Sequence, residues 1–124
     1  MKKFEFNKST IEIEIAGERL KCDVTEAEIE LSAAWHNIVK FSNKVTQGMA
    51  QRKDISELIE TTLEHIDSAF GEGSAKRIFK NRSVSVHDCS DVVMYINGAL
   101  NEYEDKKKSL YESYNPKQGL KAVK

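Results

Sequence analysis

Cysteine and proline are scarce in this chain of 124 residues, with two of the first and one of the second. Cys22 and Cys89 follow a start, Met1-Lys2-Lys3-Phe4-Glu5, that has the positive residues of an export signal but no apolar core behind them. They are therefore expected to be reduced, small core residues rather than a bridge. The single proline, Pro116, falls after the last helical pattern and is expected to end it. Long apolar runs are missing too. Stretches such as Ala33-Ala34-Trp35 are far short of the ~18 residues that a membrane span needs, so none is expected. Excess charge is also missing: 19 Lys+Arg stand against 20 Asp+Glu, a net −1, which argues against a general nucleic-acid binder. What remains is the composition of one soluble globular domain, expected in the cytoplasm. A chain of this length buries roughly 65% of its unfolded surface and needs neither disulfide nor metal to fold.

The patterning that is present changes period once. Ile11-Glu12-Ile13-Glu14-Ile15 alternates, Ala16-Gly17-Glu18 supplies a turn, and Leu20, Cys22 and Val24 resume the alternation. This predicts a β-hairpin over about 10–24. Phe4 and Phe6 alternate out of step with Ile11, as a separate short strand or one continued through a bulge. From Thr25 the period is 3.6. Thr25 and Glu28 read as a capping box for a helix over about 25–49, with Ala27, Leu31, Ala34, Ile38, Val45 and Met49 on one stripe and Trp35 and Phe41 at its flanks. A second helix is expected from Asp54 to Phe70, with Ile55, Leu58, Ile59, Thr62, Ile66 and Phe70 inward. Gly71 is placed to close it, and Ser74 to cap a short helix over 74–79. Cys89, Val92, Val93, Ile96, Leu100 and Tyr103 mark a last helix, over about 86–114. The expected fold class is mainly α: an N-terminal β-hairpin followed by about four helices in one domain over 1–114, with a flexible basic tail at 115–124.

Catalytic constellations do not assemble at these spacings. His87 and Cys89 are two apart and point about 200° away from each other on a helix. His36 has no ligand-type neighbour at helical spacing, and His65 reads as a partly exposed structural histidine. Neither CxxC nor HExxH occurs. Gly71-Glu72-Gly73-Ser74-Ala75-Lys76 has glycines ahead of a helix but not the spacing of a phosphate loop, so it reads as a cap and turn. Lys76, Arg77, Lys80 and Arg82 beyond it read as a solvated turn.

Two features point to interaction instead. The last stripe continues through Lys107, Leu110, Tyr111 and Tyr114, past the length that other helices can cover. It serves either for packing against the hairpin or for self-association or a helical partner. Residues 106–124 hold six lysines, among them Lys106, Lys107 and Lys108, against one acid, a balance of +5; the first 105 residues hold 13 basic and 19 acidic residues, or −6. Such an end either remains a solvated terminus or docks on its own body, a neighbouring copy or an acidic partner.

The stretch Leu63-Glu64-His65-Ile66-Asp67-Ser68-Ala69-Phe70-Gly71-Glu72-Gly73-Ser74-Ala75-Lys76-Arg77-Ile78-Phe79, followed by a polar loop and a helix with Val92, Val93, Tyr95 and Ile96, resembles small tail assembly chaperones of long-tailed bacteriophages and prophages. The likeness spans about residues 10–105. It is most specific at Phe70, Gly71, Gly73, Ile78 and Phe79, a structural junction without a catalytic residue. The chain departs from that pattern in its lysine-rich end and in having Lys80-Asn81 where a glycine turn is more usual. The resemblance implies a non-enzymatic, cofactor-free protein of the bacterial host's cytoplasm, one that keeps the tape measure protein soluble and helps recruit the tail tube protein. It also implies homo-oligomers and, in many members, a longer frameshifted form. The expected partner surface is Leu100, Tyr103, Leu110, Tyr111 and Tyr114 with Lys106, Lys107 and Lys108. The alternatives are a structural tail component retained in the virion and a small bacterial adaptor protein.

Overall fold

The alternating isoleucines build the first strand, β1 (Thr10–Ile15), which pairs antiparallel with β2 (Glu18–Asp23) so that Ile11 lies opposite Cys22 and Ile13 opposite Leu20. A two-residue connection joins them. Ala16 and Gly17 both take positive φ, 52° and 83°, the backbone that matches the twist of a tight hairpin. Four helices follow: α1 (Val24–Thr46), α2 (Arg52–Phe70), α3 (Ser74–Phe79) and α4 (Val86–Ser113). The computed structural model describes residues 2–6, 9–80 and 82–114, and the tail expected at 115–124 lies outside them. The mainly helical fold with an N-terminal hairpin is as the periodicity predicts. Phe4 and Phe6 form no strand. Their rings meet edge to face at 4.8 Å and both are largely exposed.

The helix starts differ from expectation by one or two residues. Asp23, still extended at the end of β2, caps α1 by accepting from the Glu26 amide at 3.1 Å, so the helix begins ahead of Thr25. Asp54 does not open α2. It lies inside the first turn and accepts from the Gln51 amide at 2.8 Å, which moves the start back to Arg52.

Two packed clusters share their edges. In one, Ala27, Leu31, Ala34 and Ile38 of α1 meet Leu58 and Ala69 of α2 and Val93, Ile96 and Leu100 of α4. In the other, Leu20 meets Ile66 and the α3 residues Ala75, Ile78 and Phe79. Ile13, Ile15, Phe70 and Val92 touch both. Val45, Met49 and Ile55, expected on inward stripes, are exposed. They lie where α1 gives way to α2, a corner closed by the Lys44–Asp54 ion pair at 3.1 Å rather than by apolar contact.

Candidate interaction surface

α4 is anchored for only half its length. Cys89, Val93, Ile96 and Leu100 are buried, and among the described residues none after Leu100 is, although the helix continues to Ser113. Leu100 itself is 2% exposed, so it belongs to the core and is not offered to a partner as the sequence led us to expect. Tyr103 is half-buried and packs against the same cluster. Beyond it the stripe is uncovered. Leu110 is half-buried, and Tyr111 and Tyr114 are 57% and 76% exposed. Lys107 stitches the stripe together: its Nζ donates to the Tyr103 hydroxyl at 3.3 Å and lies 5.6 and 5.8 Å from the Tyr103 and Tyr111 ring centres. That hydrogen bond, with the tyrosines around it, raises the lysine's pKa above its ordinary value. Lys106 and Lys108 flank the stripe, exposed.

The junction between α2 and α3 is a structural device. Gly71 and Gly73 both hold positive φ, 114° and 89°. The first residue of α3 is Ser74, buried, and the cap bond comes from elsewhere: Asp67 of α2 accepts from the Ala75 amide at 2.8 Å. Phe70, Ile78 and Phe79 pack beneath it. Two of the cations beyond the junction are tied to the hairpin: Arg77 binds Glu18 at 3.1 Å and Lys80 lies 3.9 Å from the same carboxylate. Arg82 pairs with Asp88 at 3.0 Å. These contacts tie α3 to the hairpin and the following loop to α4.

Burial, with the Asp23 charge, pushes the Cys22 thiol up to about 11, and burial raises that of Cys89 as well. His65 Nδ1 lies 2.8 Å from Glu30 Oε1, a link between α2 and α1. No group of three or more His, Cys, Asp or Glu among the described residues is placed to hold a metal.

One feature has no counterpart in the expected site. Between α1 and α4 runs an open groove of about 440 Å³, lined by Ser32, Trp35, Met94, Asn97, Gly98 and Asn101. None of these six is charged, in a chain where 31% of residues are. A side chain built at Gly98 meets nothing within 4 Å, so a partner can approach closely there. Glu28, one turn before Ser32 on α1, is half-buried beside Glu104 of α4. Burial, the Glu104 charge and a hydrogen bond between the carboxyls raise the Glu28 pKa. The sequence signal was a small residue beside amides inside a helix, Asn97-Gly98 and then Asn101; the apolar stripe drew attention to the other face.

Residues 16–123 match a family of unknown function (DUF6673), and the chain belongs to that family. No curated protein and no solved structure matches it. No helix among the described residues is long and apolar enough to cross a membrane.

Proposed function

We propose that the protein is a tail assembly chaperone of a long-tailed phage or prophage, which binds the tape measure protein without catalysis and helps recruit tail tube subunits. The observation that carries this reading is the distal part of α4: about three helical turns beyond the last buried residue, bearing Leu110, Tyr111 and Tyr114 with Lys106, Lys107 and Lys108. An amphipathic helix that extends past its own core suits a client that is itself a long helix, since the two lie side by side with apolar anchors at helical spacing. The junction from Phe70 to Phe79, where the sequence resembles such chaperones, supports the same reading.

Co-expression with the tape measure protein of the same genome, followed by pull-down and a solubility assay, tests it. The expected result is a soluble complex that is lost when Leu110→Asp and Tyr111→Asp are combined. An insoluble tape measure protein, with nothing co-purifying, overturns the reading. Recovery of the protein in purified virions would favour a retained structural component instead.

A further inference from the structure

The hairpin has two edges, and among the described residues only one of them is covered. The Val24 amide donates to the Ser9 carbonyl at 2.8 Å, one step before the Thr10–Asp23 pair. Ladder bonds alternate along an antiparallel pair. Ile11, Ile13 and Ile15 therefore spend their backbone groups on β2, while Thr10, Glu12 and Glu14 turn theirs outward. On β2 the outward set begins at Arg19, and this strand lies against α2 and α3, with the Arg77 guanidinium donating to the Arg19 carbonyl at 3.4 Å. On β1 no backbone bond among the described residues takes the outward groups, and the sheet ends there.

Beside the free edge runs a helix flank suited to the side chains of a strand. β1 lies on α4, with its isoleucines packed on the cluster that holds Val93, Ile96 and Leu100. Val92 packs in the same clusters as Ile13 and Ile15. Tyr95 and Ala99 follow Val92 at intervals of three and four, on the flank of α4 opposite the one that lines the α1 groove. Tyr95 is 52% exposed and Ala99 half-buried. A strand edge beside such a flank offers an extended peptide main-chain bonds on one side and apolar contact below, which is how strand addition works.

Charge selects the occupant. Glu12 and Glu14 stand at alternate positions on the exposed face, opposite Lys21 and Arg19 of β2, and neither is held in an ion pair among the described residues. A further strand with basic residues beside them repeats on the free side the pairing of charges that β2 makes on the other. The same carboxylates discriminate against a second β1. Antiparallel registers that keep both sets of isoleucines on the helix side and pair the whole edge set Glu12 opposite Glu12 or Glu14, and like charges directly opposite are destabilising.

We infer that the free edge of β1, with the Val92–Tyr95–Ala99 flank of α4 beside it, is the seat for an extended segment of a second protein that carries basic residues at alternate positions. The seat does not use the distal stripe of α4, so failure of this inference leaves the client reading standing, and the converse holds as well.

Titration of the full chain with a capped peptide alternating valine and lysine, followed through the protein's amide resonances, tests it. The amides of Thr10, Glu12 and Glu14 should exchange quickly in the free chain, then shift and gain at least about tenfold protection when the peptide is bound, with the Tyr95 ring shifting alongside them. A peptide alternating valine and glutamate should bind at least about tenfold more weakly, and Glu12→Lys combined with Glu14→Lys should reverse that preference. Both glutamates are exposed, and circular dichroism establishes that the variant is folded. N-methylating the backbone along one edge of the peptide should abolish binding. The inference is overturned by an absence of binding at about 1 mM peptide, or by binding that survives N-methylation of either edge. Shifts confined to residues away from β1 overturn it too. So do Glu12 and Glu14 amides already protected in the free chain: constant protection would put a segment of the chain itself on the edge, and protection that grows with protein concentration would put a second copy there.

Discussion

Lys80 occupies backbone space that side chains rarely enter, with φ 52° and ψ −125°. A Cβ there costs on the order of 1–3 kcal/mol. Among the described residues its amine reaches only the Ala16 carbonyl at 3.4 Å and Glu18 at 3.9 Å. The strain therefore outweighs the contacts, and Lys80→Gly should stabilise the protein by about 1 kcal/mol, read as a higher urea midpoint with an unchanged slope. An unchanged or lower midpoint would show that the ties to the hairpin matter more than the backbone. The sequence pointed here only through the resemblance, which led us to expect a glycine turn where Lys80-Asn81 stands. The Asp67 cap on Ala75 was not marked. Eight residues separate donor from acceptor, and no local pattern announces a bond that exists only after α2 and α3 fold back on one another.

Among the elements, the helix starts set the response to pH. Asp54 accepts from the Gln51 amide and is paired with Lys44, and these hold its carboxyl below the ordinary 3.8; the Ser85 amide and Arg82 do the same for Asp88. A depressed pKa contributes stability above the unfolded value that is lost as pH falls from there through the folded value. Glu28 runs the other way. Its raised pKa means that stability is greatest below the unfolded 4.5 and is lost as pH rises through the folded value. The two trends together place the maximum in mildly acidic solution. Urea midpoints at about pH 3, 5 and 7 should therefore peak at the middle value, and Glu104→Gln should reduce the decline toward neutral pH. A monotonic rise to neutrality would contradict this.

The length of α4 makes a second claim at this scale. Burial stops at Leu100, so amides from about 104 to 113 lie in a helix held by its own hydrogen bonds, while those around Val93 and Ile96 lie in the core. Hydrogen exchange should show the distal amides exchanging at least about a hundredfold faster than those in the core. Leu110→Asp should leave the midpoint within about 0.5 kcal/mol of wild type, whereas Leu100→Ala should cost about 2–5 kcal/mol. Periodicity revealed that α4 is long and which face is apolar. It did not reveal where the apolar face ceases to be covered, because a stripe at 3.6 spacing looks the same over a core and over solvent.

For the molecule as a whole, the question is whether the hairpin with α3 and the three long helices form one folding unit or two. The two clusters are built from different buried residues, yet Ile13, Ile15, Phe70 and Val92 pack against both. Arg77 adds a polar tie, from α3 to Glu18 and to the Arg19 carbonyl. Shared side chains cannot keep their burial if either cluster opens, so the loss of one removes apolar contacts from the other at about 25 cal/mol per Å² exposed. Trp35 reports on the α1–α4 side, and far-UV circular dichroism on all the helices together. Their urea transitions should coincide in a single step. A variant with Phe79→Ala should lower both midpoints together even though Phe79 packs in the cluster away from Trp35. If circular dichroism fell first while Trp35 emission held, the hairpin and α3 would be a separate unit joined to the helices only at its edge.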